Sequence, residues 1–154
     1  MRSSVYHGPG RIGVESREAP RPGPGELVVQ VKACGVCGTD MHILDGEFPA
    51  TPGIALGHEY AGIVHEVGKG VTGFTPGDSA AVDPNITCGC CPACQRGDVH
   101  LCDHLEALGV TRDGGFAELS LLPAAQAYRV PAQLSFETCA FAEPLSCCLH
   151  GLDL

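Results

Sequence analysis

Four cysteines in the middle of this chain constrain its fold more than any other feature, because they follow the spacing Cys88-x2-Cys91-x2-Cys94-x7-Cys102. Cysteines three residues apart can turn back on one ion about 2.3 Å from each sulfur, and the longer gap lets the chain return to complete a tetrahedron. Four thiolates leave no coordination position open to a substrate. The spacing therefore predicts a structural zinc site that holds a loop in shape.

The same cysteines allow other interpretations. A four-cysteine iron–sulfur cluster, disulfides or free thiols would also use them. Ten cysteines in 154 residues are proportionally fewer than the roughly 8–10% of small secreted disulfide scaffolds, so metal binding explains them better. Cys90 lies inside the run but off the three-residue spacing, and we predict a free or packed thiol there rather than a ligand.

A second set of candidate ligands, Cys37, His58 and Glu143, lies outside the cysteine run. Taken singly, a buried His is more often a hydrogen-bonded core residue, and a Cys a small apolar one. The neighbouring acids Asp40 and Glu59 favour a ligand set instead. Its mixture of soft and hard ligands is typical of an open, catalytic zinc site. Two zinc sites of different kinds indicate part of an enzyme.

Composition excludes several classes of function. The length and the 44% hydrophobic content are ordinary for one globular domain. A formal net charge of -9 repels phosphate backbones and anionic lipids, so we expect no nucleic-acid partner and no membrane partner. No run approaches the roughly 18 apolar residues of a membrane helix, and residues 1–10 lack the apolar core of a secretion signal. We therefore place the protein in the cytoplasm.

The pattern of short segments predicts a β-rich fold. Glycines and prolines, 21 and 12 residues, cut the chain into pieces that are rich in β-branched or apolar residues. Leu27, Val29 and Val31 alternate with a more polar set, which predicts one buried and one partly wet face. Pro144 fits the first turn of a helix, which we predict from Glu143 to the last residue, Leu154. The predicted strands are residues 26–34, 59–67, 78–82, 116–122 and 127–130.

A dinucleotide-binding domain cannot be recognised in these residues. It would need a strand, a G-x-G-x-x-G turn and a following helix. The glycine-containing segments 8–13 (GPGRIG) and 70–77 (GVTGFTPG) follow no predicted buried strand. No acid follows either of them about 20 residues later at the end of a second strand.

Several motifs carry a resemblance to a known family. They are residues 33–42 (ACGVCGTDMH), 57–71 (GHEYAGIVHEVGKGV), the four-cysteine run, 114–119 (GGFAEL) and 142–146 (AEPLS). In these motifs and their order, nearly the whole chain resembles the zinc-dependent medium-chain alcohol and polyol dehydrogenases. The glutamate of the EPL motif is similar to that of the sorbitol and threonine dehydrogenase branch, where simple alcohol dehydrogenases have a cysteine.

The resemblance implies a role for each candidate ligand. Cys37 and His58 would bind the catalytic zinc, with Glu143 as the third protein ligand. Glu59 is similar to an acid that binds or swaps onto the metal in some members, so it is a further candidate. The alternatives are that Glu143 only caps the last helix, or that Cys147, one turn on, replaces it as ligand.

Three further residues match the family's catalytic pattern. Asp40 would orient His58 and raise its basicity, unless it only forms a surface ion pair. Thr39 and His42 occupy the positions of the family's proton relay, which would carry the alcohol proton to solvent near neutral pH. The alternative is that Thr39 packs the turn and His42 is merely exposed.

The resemblance also implies an architecture: a mainly β, GroES-like, partly open β-barrel with short helices and a structural zinc lobe. The resemblance further implies two zinc ions per chain and a homo-oligomeric full-length protein. It also implies NAD or NADP, held by a Rossmann domain outside this chain. We expect residues 1–154 to be the catalytic domain of an enzyme for a polyol, sugar alcohol or amino alcohol, inactive alone. The rival hypothesis is a stand-alone zinc-binding or interaction module. The zinc-free reductases of the superfamily lack both metal sites.

Overall fold

The computed structural model describes residues 1–152 as short strands and short helices in the mainly β arrangement that we predicted. None of these helices is long and apolar enough to cross a membrane. The strands are β1 (Arg2–Gly8), β2 (Arg11–Ser16), β3 (Glu26–Cys34), β4 (Tyr60–Val67), β5 (Ser79–Val82), β6 (Asn85–Ile86), β7 (Glu106–Ala107), β8 (Leu119–Pro123) and β9 (Ala127–Arg129). The helices are α1 (Gly38–Asp45), α2 (Pro92–Arg96), α3 (Phe136–Ala140) and α4 (Ala142–Leu152).

The largest sheet forms the predicted half-open barrel. Its strand order is β8-β3-β4-β5-β9, and every neighbouring pair is antiparallel. The main core cluster lies on one face of this sheet and includes Leu27, Val29, Tyr60, Val64 and Leu122, each almost fully buried. Burying an aliphatic side chain of this size contributes about 1.5–3 kcal/mol. This cluster therefore fixes the sheet from which the functional residues extend.

The predicted strands are largely confirmed. β3 covers residues 26–34 as predicted, and β4, β5 and β9 each differ from their predictions by one residue at one end. β8 begins three residues later than predicted, because residues 116–118 hydrogen-bond to β1 instead. The expectation of a wet second face is wrong at Val28, which is fully buried beside Leu27 and Val29. That second face is covered in part by α3.

An N-terminal hairpin was missed. β1 and β2 pair antiparallel around the turn at Pro9 and Gly10, and Val5 and Tyr6 are buried. A partly buried strand therefore does lead into the segment GPGRIG, contrary to our expectation. An antiparallel strand follows it rather than a helix, so the segment is a hairpin turn and not the strand–turn–helix of a dinucleotide-binding motif.

Three short helices before α4 were also missed. α1, α2 and α3 are each eight residues or fewer, too short for a sequence periodicity to reveal. α4 begins at Ala142, one residue before the predicted start. The last predicted residues of this helix, 153 and 154, lie outside the described part of the chain.

Candidate metal centres

The four-cysteine run forms a compact lobe whose local structure follows from its sequence. Cys91 caps α2, and its sulfur accepts a hydrogen bond from the amide of Cys94 over 3.5 Å. Gly97, at φ +90°, ends α2 in the left-handed conformation that glycine adopts without strain. A 3₁₀ turn, Val99–Leu101, then returns the chain to Cys102. We call residues 88–102 the cysteine lobe.

The sulfurs of the cysteine lobe fit one tetrahedral ion. Those of Cys88, Cys91, Cys94 and Cys102 all lie within 4.8 Å of one another. The Cys88 and Cys94 sulfurs are 4.0 Å apart, close to the roughly 3.8 Å edge of a tetrahedron with bonds of about 2.3 Å. Amide groups of Cys90 and Cys91 point at the Cys88 sulfur and lower its pKa to about 6. Such donors favour the thiolate form that a metal requires.

The remaining cysteines stand apart from this group. Cys90 is exposed and is not one of the four clustered sulfurs. All ten thiols are free, so disulfides do not account for the cysteines of residues 1–152. Burial raises the pKa of the Cys34 thiol to about 12, which keeps it protonated and unreactive.

The open site begins at Cys37, the residue before α1. The amide of Cys37 donates to Asp40 Oδ2 over 2.9 Å, which ties the start of the helix to a carboxylate within its first turn. A negative charge at this end of a helix is favourable because the free amides carry partial positive charge. The Asp40 side chain, only 5% exposed, thereby holds the backbone of Cys37 at the start of α1.

His58 approaches from the opposite side, just before β4. Gly57 before it has φ +87°, and a Cβ there would collide with Phe116 and Cys34. Only glycine fits both the conformation and the space. This turn places the buried His58 ring beside Cys37 and Glu59, and one ligand atom of each residue lies within 4.8 Å of the others.

Asp40 faces His58 as well as Cys37. His58 Nδ1 lies 3.6 Å from Asp40 Oδ1, and both atoms are buried without a hydrogen-bond partner. The facing carboxylate raises the pKa of His58 to about 9, while burial acts in the opposite direction. With Nδ1 directed at Asp40, Nε2 is the nitrogen left for a metal, the arrangement typical of metal-binding histidines. The donor set therefore fits zinc.

Glu59 and Glu143 lie at different positions around this pair. Glu59 belongs to the cluster with Cys37 and His58, and its carboxylate fits beside Gly35, where a Cβ would collide with it. Glu143 lines the same cavity as His58 but is not within the 4.8 Å cluster. The Cys147 sulfur donates to Glu143 Oε1 over 3.3 Å.

The two predicted relay residues have different surroundings. Thr39 lines the cavity beside His58, and its hydroxyl is 3.6 Å from the Cys37 sulfur. His42 lies on α1 with its side chain 61% exposed, and its Nδ1 is 2.7 Å from Glu47 Oε2. One residue is thus at the site and the other at the solvent surface.

A cavity of about 600 Å³ opens onto His58. Its volume is that of a small-molecule site. The sequence did not reveal the residues of its wall, because they come from separate loops that only the fold brings together. Besides His58 and Glu143, the wall includes the polar residues Thr39, Thr51, Asn85 and Thr111 and the apolar residues Phe48, Leu105, Leu108 and Val110.

Comparisons with known proteins agree with this geometry. The chain is 37% identical to a sorbitol dehydrogenase of Halalkalibacterium halodurans over 96% of its own length and 43% of the relative's. It is 43% identical to a D-altritol 5-dehydrogenase of Agrobacterium fabrum over 84% of its length and 39% of that protein. The chain therefore spans about two fifths of the length of these curated relatives.

Solved structures show the same fold. A zinc-binding dehydrogenase of Sinorhizobium meliloti, solved with NADP, superimposes with a TM-score of 0.96 at 51% identity, over 99% of this chain and 44% of that one. The galactitol-1-phosphate dehydrogenase of Escherichia coli superimposes with a TM-score of 0.92 at 32% identity, over 97% of this chain and 44% of that one. The sequence model of the alcohol dehydrogenase GroES-like domain matches residues 23–132. The chain belongs to this family of alcohol dehydrogenase GroES-like domains.

Proposed function

We propose that this chain is the catalytic, zinc-binding domain of an NAD(P)-dependent dehydrogenase that interconverts a secondary alcohol and a ketone. The observation that carries the proposal is the cluster of Cys37, His58 and Glu59, whose His58 lines a cavity of about 600 Å³. The cysteine lobe could only hold structure, whereas this second cluster adjoins space for a substrate. The relatives' names, sorbitol and D-altritol 5-dehydrogenase, supply the reaction class.

Cys37 and His58 would hold the catalytic zinc, with Glu143 or Glu59 completing the protein ligands. Bound zinc supplies a Lewis acid that lowers the pKa of an alcohol hydroxyl without redox chemistry of its own. Asp40 would keep His58 in one orientation and one tautomer through Nδ1.

The alcohol proton would leave through Thr39 and His42. Thr39 lines the cavity, and its hydroxyl would accept a proton from a substrate hydroxyl there. His42 is exposed, with its Nδ1 2.7 Å from Glu47 Oε2, and would pass the proton to solvent. The two residues are one helical turn apart on α1.

The cavity wall favours an uncharged, polyhydroxylated substrate. Among the described residues that line it there is no Lys or Arg to pair with a phosphate or carboxylate. Thr51, Asn85 and Thr111 offer neutral hydrogen-bonding groups. We therefore place polyols and sugar alcohols ahead of phosphorylated substrates, with an amino alcohol as the further alternative.

NAD or NADP would bind to a Rossmann domain outside this chain. The S. meliloti structure was solved with NADP, and each relative is more than twice as long as the matched region. We therefore expect residues 1–154 alone to lack turnover. A cytoplasmic location and a homo-oligomeric full-length protein stay predictions.

The test is activity of the full-length protein on a panel of polyols, sugar alcohols and L-threonine with NAD⁺ and NADP⁺, together with elemental analysis. We expect two zinc equivalents per chain, a colourless protein and turnover of at least one polyol. A brown, iron-containing protein would contradict the zinc assignment of the cysteine lobe. Zinc confined to the lobe and no turnover would favour the rival stand-alone module, as would a stop codon directly after Leu154.

A further inference from the structure

Two histidines that the proposed reaction does not use face each other between the cysteine lobe and α4. His100 lies in the 3₁₀ turn Val99–Leu101, and His150 lies in the last turn of α4. Both residues are exposed. Their ring centres are 5.2 Å apart, with the ring planes at 59°. The pair thus joins two elements that are far apart in sequence.

This separation matches two imidazoles on one tetrahedral zinc ion. A coordinating nitrogen lies about 2.0–2.1 Å from zinc, and the ring centre lies about 1.1 Å beyond it, so each centre is about 3.2 Å from the ion. At the tetrahedral angle, two such centres are about 5.2 Å apart. The observed separation of the ring centres, 5.2 Å, therefore equals the separation that this geometry requires.

The charge of the chain favours a cation at this position. The chain carries a net charge of -9, which attracts cations.

We propose that His100 and His150 form a third, surface zinc site that clamps the cysteine lobe to α4. Water completes the coordination. This ion would bind more weakly than the other two, because only two protein ligands are preset and both are exposed to solvent. The site is independent of the proposed reaction and does not need the cofactor domain.

The experiment is a calorimetric titration of zinc into the intact protein that already holds its two tight zinc equivalents. We expect one additional, weaker equivalent in the unmodified protein. His100→Gln and His150→Gln will each lower the affinity for this third zinc ion by at least about tenfold, which corresponds to about 1.4 kcal/mol of binding free energy. The matched control is His65→Gln, an exposed histidine on β4, which will leave the third equivalent unchanged.

A second measurement separates a clamp from adventitious binding. Hydrogen exchange in residues 99–101 and in the last turn of α4 will slow together when excess zinc is added, and will not respond in His150→Gln. Because His150 lies outside the cysteine lobe, this variant keeps both tight zinc ions, which elemental analysis checks. The proposal is overturned if no third equivalent binds, or if it binds equally well in both histidine variants.

Discussion

The cysteine lobe and the open site differ in where along the chain their candidate ligands come from. In the lobe, all four sulfurs come from residues 88–102, and backbone amides donate to them from within the same segment. In the open site, Cys37 and His58 come from separate turns, and Glu143 comes from the other end of the chain. The lobe is therefore defined by local spacing, whereas the open site depends on the packing of the whole barrel.

Cys37→Ser is the change with the largest expected effect, and it alters the open site alone. Loss of a Lewis acid that lowers the activation free energy by about 4 kcal/mol predicts a fall in kcat of about a thousandfold or more. The backbone bond from residue 37 to Asp40 persists, so the fold will survive. Steady-state kinetics and zinc analysis of the full-length enzyme check this, with one equivalent of zinc expected. Cys34→Ala, outside the ligand cluster, is the control and keeps both zinc ions.

Cys94→Ser tests the other half of the comparison. It removes a corner of the thiolate tetrahedron, so the lobe's zinc will be lost and residues 88–102 will become sensitive to protease. Cys90→Ser changes the neighbouring exposed thiol and will leave zinc content and protease resistance unaltered. Equal loss of both metals in Cys94→Ser and in Cys37→Ser would contradict the division into two independent sites.

A third comparison decides which side chain completes the open site. If Glu143 is the ligand, Glu143→Gln will lower the affinity of the open site for zinc. The loss will exceed the roughly 10–100-fold loss that follows removal of a hydrogen-bond partner of a ligand. Cys147→Ser, which alters only the group that donates to Glu143, will change zinc affinity little. Competition with a chelator measures both affinities. A larger loss in Cys147→Ser or in Glu59→Gln would reassign the ligand.

Asp40→Asn is expected to have the smallest effect of these changes. An amide keeps the shape of the side chain and can still accept from Cys37, but it removes the charge that faces His58 Nδ1. We expect zinc affinity of the open site to fall about 10–100-fold while the lobe keeps its zinc. Asp45→Asn, an exposed acid on the same helix, will leave chelator competition unchanged and so controls for net charge.

The contrast between the regions also explains what the sequence could predict. Regular spacing identified the cysteine cluster, and β-branched runs between glycines located β3, β4, β5 and β9 to within one residue at each end. The hairpin β1–β2 was missed because β2, the segment RIGVES, has only two apolar residues, Ile12 and Val14, too few to mark a strand. α1 was missed because it is stabilised by the bond from Cys37 to Asp40 rather than by an apolar stripe.

The open site was less accessible to sequence reasoning alone. The proximity of Cys37, His58 and Glu59 is now visible in the fold, but their resemblance to a known family was needed to select them among seven histidines and ten cysteines. The roles of these residues, and of Thr39, His42 and Glu143, stay predictions. Which loops line a cavity depends on long-range packing, and local periodicity carries no information about it.

One carboxyl group contacts both sides of the open site: Oδ2 of Asp40 accepts from the amide of Cys37, and Oδ1 faces the His58 ring. A single buried side chain therefore spans the distance between the start of α1 and the segment before β4. When His58 binds a metal through Nε2, its Nδ1–H can donate to this carboxylate. Metal binding would then link the two segments through one residue.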